Sequence, residues 1–82
     1  MNKITLCIQP FVEIQSFSIF KDNVFIEECH TKMEDLDKIL FSKVKEYEIN
    51  EIILHGNKDY LSKYKNNLNT TFNNNPIKIT II

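Results

Sequence analysis

The sequence has 82 residues, is 43% hydrophobic and carries a formal net charge of -1. This length supports one small hydrophobic core, so we expect residues 1–82 to form a single domain. All ten basic residues are lysines, and a balanced charge without arginine speaks against nucleic-acid binding.

Other function classes are excluded by simple counts. The sequence has one glycine, Gly56, which excludes a glycine-rich phosphate loop. It contains no apolar run of about 18 residues and no signal-peptide pattern at its start, so we expect a cytoplasmic protein without a membrane span. Two cysteines, Cys7 and Cys29, are too few for a disulfide framework.

Three strands are predicted in the first part of the sequence. In residues 3–8, apolar and polar side chains alternate with the period of a strand. A second strand covers residues 12–20, with a change of phase near Gln15 that a bulge or a loop would explain. A tight hairpin turn at residues 22–23 leads into a third strand over residues 24–29.

Two helices and two more strands follow. Thr31 and Glu34 have the spacing of a capping box, and the helix that it begins should end near Glu48. A short strand over residues 51–55 precedes a second helix capped by Asn57, and a last strand follows a loop at residues 73–76. The predicted apolar stripes are Met33, Leu36, Leu40, Val44 and Tyr47 in the first helix, and Leu61, Tyr64, Leu68 and Phe72 in the second.

The predicted order of elements is β-β-β-α-β-α-β. Right-handed crossovers place strand 4 beside strand 1 and strand 5 beyond it, which gives a five-stranded mixed sheet in the order 3-2-1-4-5. Both helices then lie on one face of the sheet, in a two-layer α/β fold. Cys7 and Cys29 would be two strand spacings apart, about 9.6 Å, which is beyond disulfide reach.

This order resembles the ribonuclease H-like fold, which RuvC-type nucleases, YqgF-like proteins and actin-like ATPases share. In the RuvC-type nucleases the first strand ends as apolar-Gly-Ile-Asp-Pro-Gly, and Leu-Cys-Ile-Gln-Pro-Phe at residues 6–11 occupies that place. Residues 44–56, "VKEYEINEIILHG", resemble the helix, acidic turn and strand that lead to a glycine in YqgF-like proteins.

The resemblance implies a retained fold and a lost active site. The resembled nucleases hold divalent metal ions with carboxylates, and Gln9 supplies a neutral amide at the first position. Phe11 replaces a small residue, and His55 or Gly56 stands where the fourth strand could offer a further acid. An actin-like ATP site would need two glycine-rich turns. We therefore expect no catalytic residue, no cofactor and no metal site.

Two other pairs of side chains are of residue types that bind metal ions. Glu27 and Glu28 are neighbours on a predicted strand and point to opposite faces, which favours a solvated strand end. His30 and His55 lie at strand ends, and nothing in their spacing brings them together. Both pairs are interpreted as ordinary surface or packing residues.

The helix-free face of the sheet is the predicted interaction surface. On the parity of their strands, Phe20, Phe25 and Ile53 would place three large apolar side chains there. Such a patch usually marks an interface. We expect this face, or the edge at strand 3, to dock on a second subunit or a protein partner.

The sequence thus predicts a small, non-catalytic interaction or assembly protein on a degenerate ribonuclease H-like scaffold, from a phage or another mobile element. Two alternatives stay open: a nucleic-acid-associated accessory protein, and a divergent metal-dependent nuclease.

Overall fold

The computed structural model describes residues 1–9, 12–72 and 77–82. The predicted loop at 73–76 and Phe11 lie outside the described residues. A short 3-10 turn, Met33–Asp35, precedes the first helix. The elements are β1 (Lys3–Cys7), β2 (Ile14–Lys21), β3 (Val24–Lys32), α1 (Leu36–Tyr47), β4 (Glu51–His55), α2 (Lys58–Thr71) and β5 (Lys78–Ile81).

The strands form one sheet in the order β3-β2-β1-β4-β5, as predicted. β2 is antiparallel to β1 and β3, whereas β4 is parallel to β1 and to β5. In the centre of the sheet Ile4 pairs with Ile19 on one side and with Ile52 on the other. The predicted two-layer α/β architecture is confirmed.

The hairpin between β2 and β3 turns at Asp22 and Asn23, whose φ angles are 52° and 67°. Two successive positive φ angles match the twist of the flanking strands, and Asn and Asp tolerate them. The β2–β3 ladder shifts register between Ile19 and Phe20, which leaves Ile26 of β3 without an opposite residue. The phase change near Gln15 has the second of its two predicted explanations, a loop: β2 begins at Ile14, Val12 belongs to the preceding loop, and Ile14 is exposed opposite Lys32.

The predicted capping box at Thr31 is wrong. Thr31 lies within β3, opposite Gln15 of β2, and its hydroxyl donates to the carbonyl oxygen of Lys32 (3.3 Å). Pairing with β2 therefore extends β3 to Lys32, and Asp35 takes the N-cap of α1 without a side-chain hydrogen bond. α1 ends as predicted, because Glu48 turns the chain with a left-handed φ of 52°.

The predicted stripes form a single core, except that Met33, in the 3-10 turn, and Tyr47 are only partly buried and pack against it. In α2 the Asn57 side chain caps the helix by accepting from the Tyr60 amide (3.1 Å), as its sequence position indicated. The core contains Ile4, Leu6, Ile8, Phe17, Ile19, Leu36, Leu40, Val44, Ile49, Ile52, Leu54, Leu61, Tyr64, Leu68, Phe72 and Ile79.

Contacts between the helices hold them side by side on one face of the sheet. The rings of Phe41 and Phe72 stack with centroids 5.7 Å apart, and the Tyr64 hydroxyl donates to Asp37 (2.7 Å). The opposite face receives no helix from the described part of the chain. Among the described residues, no helix combines the length and apolarity needed to cross a membrane.

Candidate interaction surface

The carboxyl end of β1, where the resembled nucleases carry an acid, is held by a buried glutamine. Gln15 is 2% exposed, and its Oε1 accepts from the amide of Gln9 (3.0 Å). Its Nε2 donates to the carbonyl oxygens of Gln9 (2.8 Å) and Val12 (2.9 Å). The side chain of Gln15 therefore fixes the backbone at Gln9 and at Val12, while Gln9 itself is exposed.

The neighbouring end of β4 leaves no room for a side chain at position 56. Gly56 has a φ of +141°, and a Cβ there would lie 2.6 Å from the carbonyl oxygen of Ile8. The Ile8 amide donates to the carbonyl oxygen of His55 (3.1 Å), which brings the two strands together at this point. A close approach of two backbones requires glycine, so an acid is sterically excluded from this position.

The two adjacent glutamates of β3 point to opposite faces, as predicted, but they lie within the strand and not at its end, because β3 continues to Lys32. Glu28 is exposed on the helix-free face. Glu27 lies beneath α1, where its Oε1 contacts the Nζ of Lys43 (2.8 Å). Lys43 also contacts Glu46 (3.2 Å), and the Cys29 thiol donates to Glu27 (3.4 Å).

This cluster shifts the pKa values of its members in the directions expected for an ion pair. The hydrogen bond from Lys43 lowers the pKa of Glu27, and the two glutamates raise the pKa of Lys43. Burial raises the pKa of the Cys29 thiol, and the neighbouring Glu27 raises it further. The cluster thus ties β3 to α1 and keeps Cys29 as a neutral thiol.

The histidines and cysteines form no shared site. His30 and His55 occupy the same row of the helix-free face, but Ser16 and Cys7 lie between them. Three strand spacings, about 14 Å, separate the histidines. Cys29 faces the helices, so the two cysteines also lie on opposite faces of the sheet, and both are free. In the part of the chain that the structure describes, no three His, Cys, Asp or Glu residues have the geometry of a metal site.

The structure brings two of the three predicted interface residues together and leaves the third apart. Phe20 and Phe25 are opposite each other and make an edge-to-face contact, with ring centroids 5.9 Å apart. Ile53 lies on β4 and pairs with Thr5 of β1. Lys3 of β1 separates Ile53 from the aromatic pair and places its ammonium 5.7 Å from the Phe20 ring centroid.

Among the described residues, the longest run of exposed apolar side chains is at the start of β3. Val24, Phe25 and Ile26 are 63%, 55% and 41% exposed. We call these three residues together with Phe20 the apolar β3 end. Strand parity selected Phe25 alone from this apolar run, because parity does not show that an edge strand with a bulge exposes Val24 and Ile26 as well.

The position of β3 adds to this exposure. β3 is at the end of the strand order, and among the described strands it pairs with β2 alone. The outer edge of such a strand carries backbone N–H and C=O groups that a further strand can pair with. Exposed apolar side chains and an open strand edge therefore occur on the same element.

Comparison with known protein families and with curated proteins gives no match to this sequence. A solved structure from Bacteroides thetaiotaomicron VPI-5482, of a protein with actin-like ATPase fold and unknown function, is similar to this chain with a TM-score of 0.72 and 16% sequence identity. The similarity covers 99% of this chain and 32% of that one, so this chain spans about a third of the length of its structural neighbour. The fold is of the ribonuclease H-like and actin-like ATPase kind.

Proposed function

We propose that this chain is a non-catalytic interaction module that uses a ribonuclease H-like scaffold to bind a protein through the apolar β3 end and the adjoining edge of β3. A phage or mobile-element origin and a closer relation to RuvC-type and YqgF-like proteins belong to the same proposal. The local likeness of residues 6–11 and 44–56 supports that relation.

The observation that carries the proposal is the run of three exposed apolar residues on an edge strand. Burial of large apolar side chains is the main favourable term in protein association. An apolar edge strand left open in solution also invites aggregation, which natural proteins usually prevent with charges or covering elements. A bound partner explains why these side chains are retained.

Two features of the fold's usual catalytic end support the absence of catalysis in this proposal. Gln9 offers a neutral amide where the resembled nucleases place a carboxylate, and the Gly56 geometry excludes an acid at the position directly after β4. Gln15 bonds to the backbone groups of Gln9 and Val12. The exposed side chains described at the end of β1 are those of Cys7 and Gln9, and neither is a carboxylate.

The test is a charged substitution in the apolar β3 end with a matched control elsewhere. Phe25→Glu places a carboxylate in the proposed interface, whereas Val12→Glu changes another exposed apolar residue, in the loop before β2. Both variants should keep the circular dichroism spectrum and melting temperature of the wild type. The wild type and Val12→Glu should form the same complexes, in self-association assays and in affinity capture from the native host, and Phe25→Glu should lose them.

Complexes that survive Phe25→Glu would contradict the proposed surface. Measurements with DNA address the first alternative function: we expect no binding to duplex or junction DNA at physiological salt. Micromolar affinity with a steep dependence on salt would favour the nucleic-acid accessory role instead, because that slope counts released counterions.

A further inference from the structure

β3 is suited in length and position to receive another strand. It has nine residues, against eight in β2 and five or fewer in the other described strands. Its ladder with β2 is regular from Glu27 to Lys32, after the bulge at Ile26. Addition of a strand to such an edge is a common mode of protein recognition, in which backbone hydrogen bonds provide affinity.

The polar side chains along β3 are complementary to those of a second β3 strand in antiparallel orientation. The regular part of the strand begins with two acids, Glu27 and Glu28, and continues to His30 and Lys32. In an antiparallel second copy the carboxylate of Glu28 lies opposite the imidazole of His30 and next to the ammonium of Lys32. Opposite charges on facing strands stabilise such a pair, and Glu28, His30 and Lys32 all lie on the helix-free face.

We propose that a second copy of this chain binds the β3 edge in antiparallel orientation, about a two-fold axis at Cys29, and joins the two sheets into one. This inference rests on the proposed function, because it names the partner of the β3 edge. The two copies use the same surface, as a closed two-fold dimer requires.

The register follows from the requirements of symmetry and charge. Opposed residues of antiparallel strands point to the same face, so the two-fold axis must place one residue opposite its own copy. An axis at Glu28 would oppose two carboxylates and put the Ile26 bulge inside the ladder, and an axis at His30 would shorten the ladder. An axis at Cys29 pairs each Glu28 with His30 of the other copy, with Lys32 as the diagonal neighbour.

The same register covers part of the apolar β3 end. It brings Lys32 of the second copy opposite Ile26 and next to Phe25. The aliphatic stem of a lysine can lie along apolar surface while its ammonium stays in water. Contacts of Glu28 with His30 and Lys32 within the ladder and apolar contact at both of its ends then act together.

α1 adds a second layer to this interface. The side of α1 that faces away from α2 overhangs β3, because Lys43 on that side contacts Glu27. The half-buried Ile39 lies on the same side, in a shallow depression lined by Asp35, Lys38, Ser42 and Lys43. In the proposed dimer both α1 helices lie on the same face of the joined sheet, so these sides of α1 approach each other.

Cys29 allows a direct test of the register. Opposed Cα atoms in antiparallel strands are about 4.5 or 5.5 Å apart, and both distances are within the range of a disulfide. We expect Cys7→Ser protein to give a disulfide-linked dimer through Cys29 on oxidation with copper phenanthroline. Cys29→Ser protein, which retains the exposed Cys7, should stay monomeric on a denaturing gel under the same conditions.

Charge reversal tests the pairing independently of oxidation. In sedimentation equilibrium, Glu28→Lys and Lys32→Glu should each raise the dimer dissociation constant about tenfold or more, because like charges then face each other. The double variant, Glu28→Lys with Lys32→Glu, should restore most of the affinity, since the exchanged charges again attract. This restoration also shows that the single variants fold.

Each possible result bears on a different part of the inference. If the chain is monomeric at the highest attainable concentration, a second copy is not the partner. The proposed function can still hold in that case, if the wild type binds a host protein and the Phe25→Glu variant does not. A dimer that neither charge reversal weakens overturns the proposed pairing of the two β3 edges. A charge-sensitive dimer that forms no Cys29 disulfide overturns the register.

Discussion

Gln15 is the polar residue on which the β1–β2 connection depends, and its replacement by glutamate is the sharpest test of the structure. The substitution keeps the size of the side chain and the acceptor for the Gln9 amide. It removes the two donors that bond to the carbonyl oxygens of Gln9 and Val12. A carboxylate then faces two carbonyl oxygens in a site where the side chain is 2% exposed.

The cost of this change is large for a small domain. Leaving one buried acceptor without its partner costs about 1–3 kcal/mol, so two stranded carbonyl oxygens cost about 2–6 kcal/mol. An 82-residue domain has a total free energy of unfolding of about 4–12 kcal/mol. We therefore expect Gln15→Glu to remove a large share of the stability at pH 7.

The assay is urea denaturation at pH 7 and at pH 4, with Gln9→Glu as the control. Burial next to two carbonyl oxygens raises the pKa of the new carboxyl group above its unfolded value, so the loss of stability relative to the wild type should be smaller at pH 4, where the protonated group can donate again. Gln9→Glu places the same chemical change on an exposed side chain and should alter stability by less than about 0.5 kcal/mol. Equal effects of the two substitutions, or a Gln15→Glu loss that does not shrink at pH 4, would refute the reasoning.

Three further expectations concern the core, the helix contact and metal ions. Leu40 and Leu68 are fully buried, so Leu40→Ala and Leu68→Ala should each lower the free energy of unfolding by about 2–5 kcal/mol and the melting temperature by at least about 8 °C. An unchanged melting temperature would mean that the helix faces are misassigned. Burial and the hydrogen bond to Asp37 raise the pKa of Tyr64, so the unfolded chain releases the hydroxyl proton at a lower pH than the folded chain does. The free energy of unfolding should therefore fall above about pH 10, and it should fall less steeply in Tyr64→Phe. The same slope in both proteins would contradict the contact. Because Gln9 is a neutral amide, millimolar magnesium or manganese should leave the melting temperature unchanged, and a metal-dependent rise would point to a metal site.

The sequence by itself determined the order of the strands and the faces of both helices. The strand and helix periods depend on the chain's own repeating geometry, so the stripe from Leu61 to Phe72 and the alternation of Ile4, Leu6 and Ile8 could be read directly. The handedness of crossover connections then fixed the sheet order, because strands 1, 4 and 5 have only one common arrangement.

Only the tertiary structure decided where β3 ends and which backbone groups Gln15 contacts. The spacing of Thr31 and Glu34 fits a capping box, yet pairing with β2 keeps Thr31 in β3, because ladder hydrogen bonds to a neighbouring strand outweigh one local cap. The inward phase of β2 placed a polar Gln15 in the core, and only the folded loop showed which backbone groups it satisfies.

The interaction surface shows the same division. Phe20, Phe25 and Ile53 have the correct parity for one face, but parity does not specify which row of the sheet a residue occupies. The register across β1 and β2 puts Lys3 and Thr5 between Ile53 and the aromatic pair, and the bulge at Ile26 concentrates the apolar exposure on β3. Side-chain alternation is a local property of one strand, whereas register depends on hydrogen bonds between strands far apart in the sequence, and for this reason the surface could be placed only once the sheet was assembled.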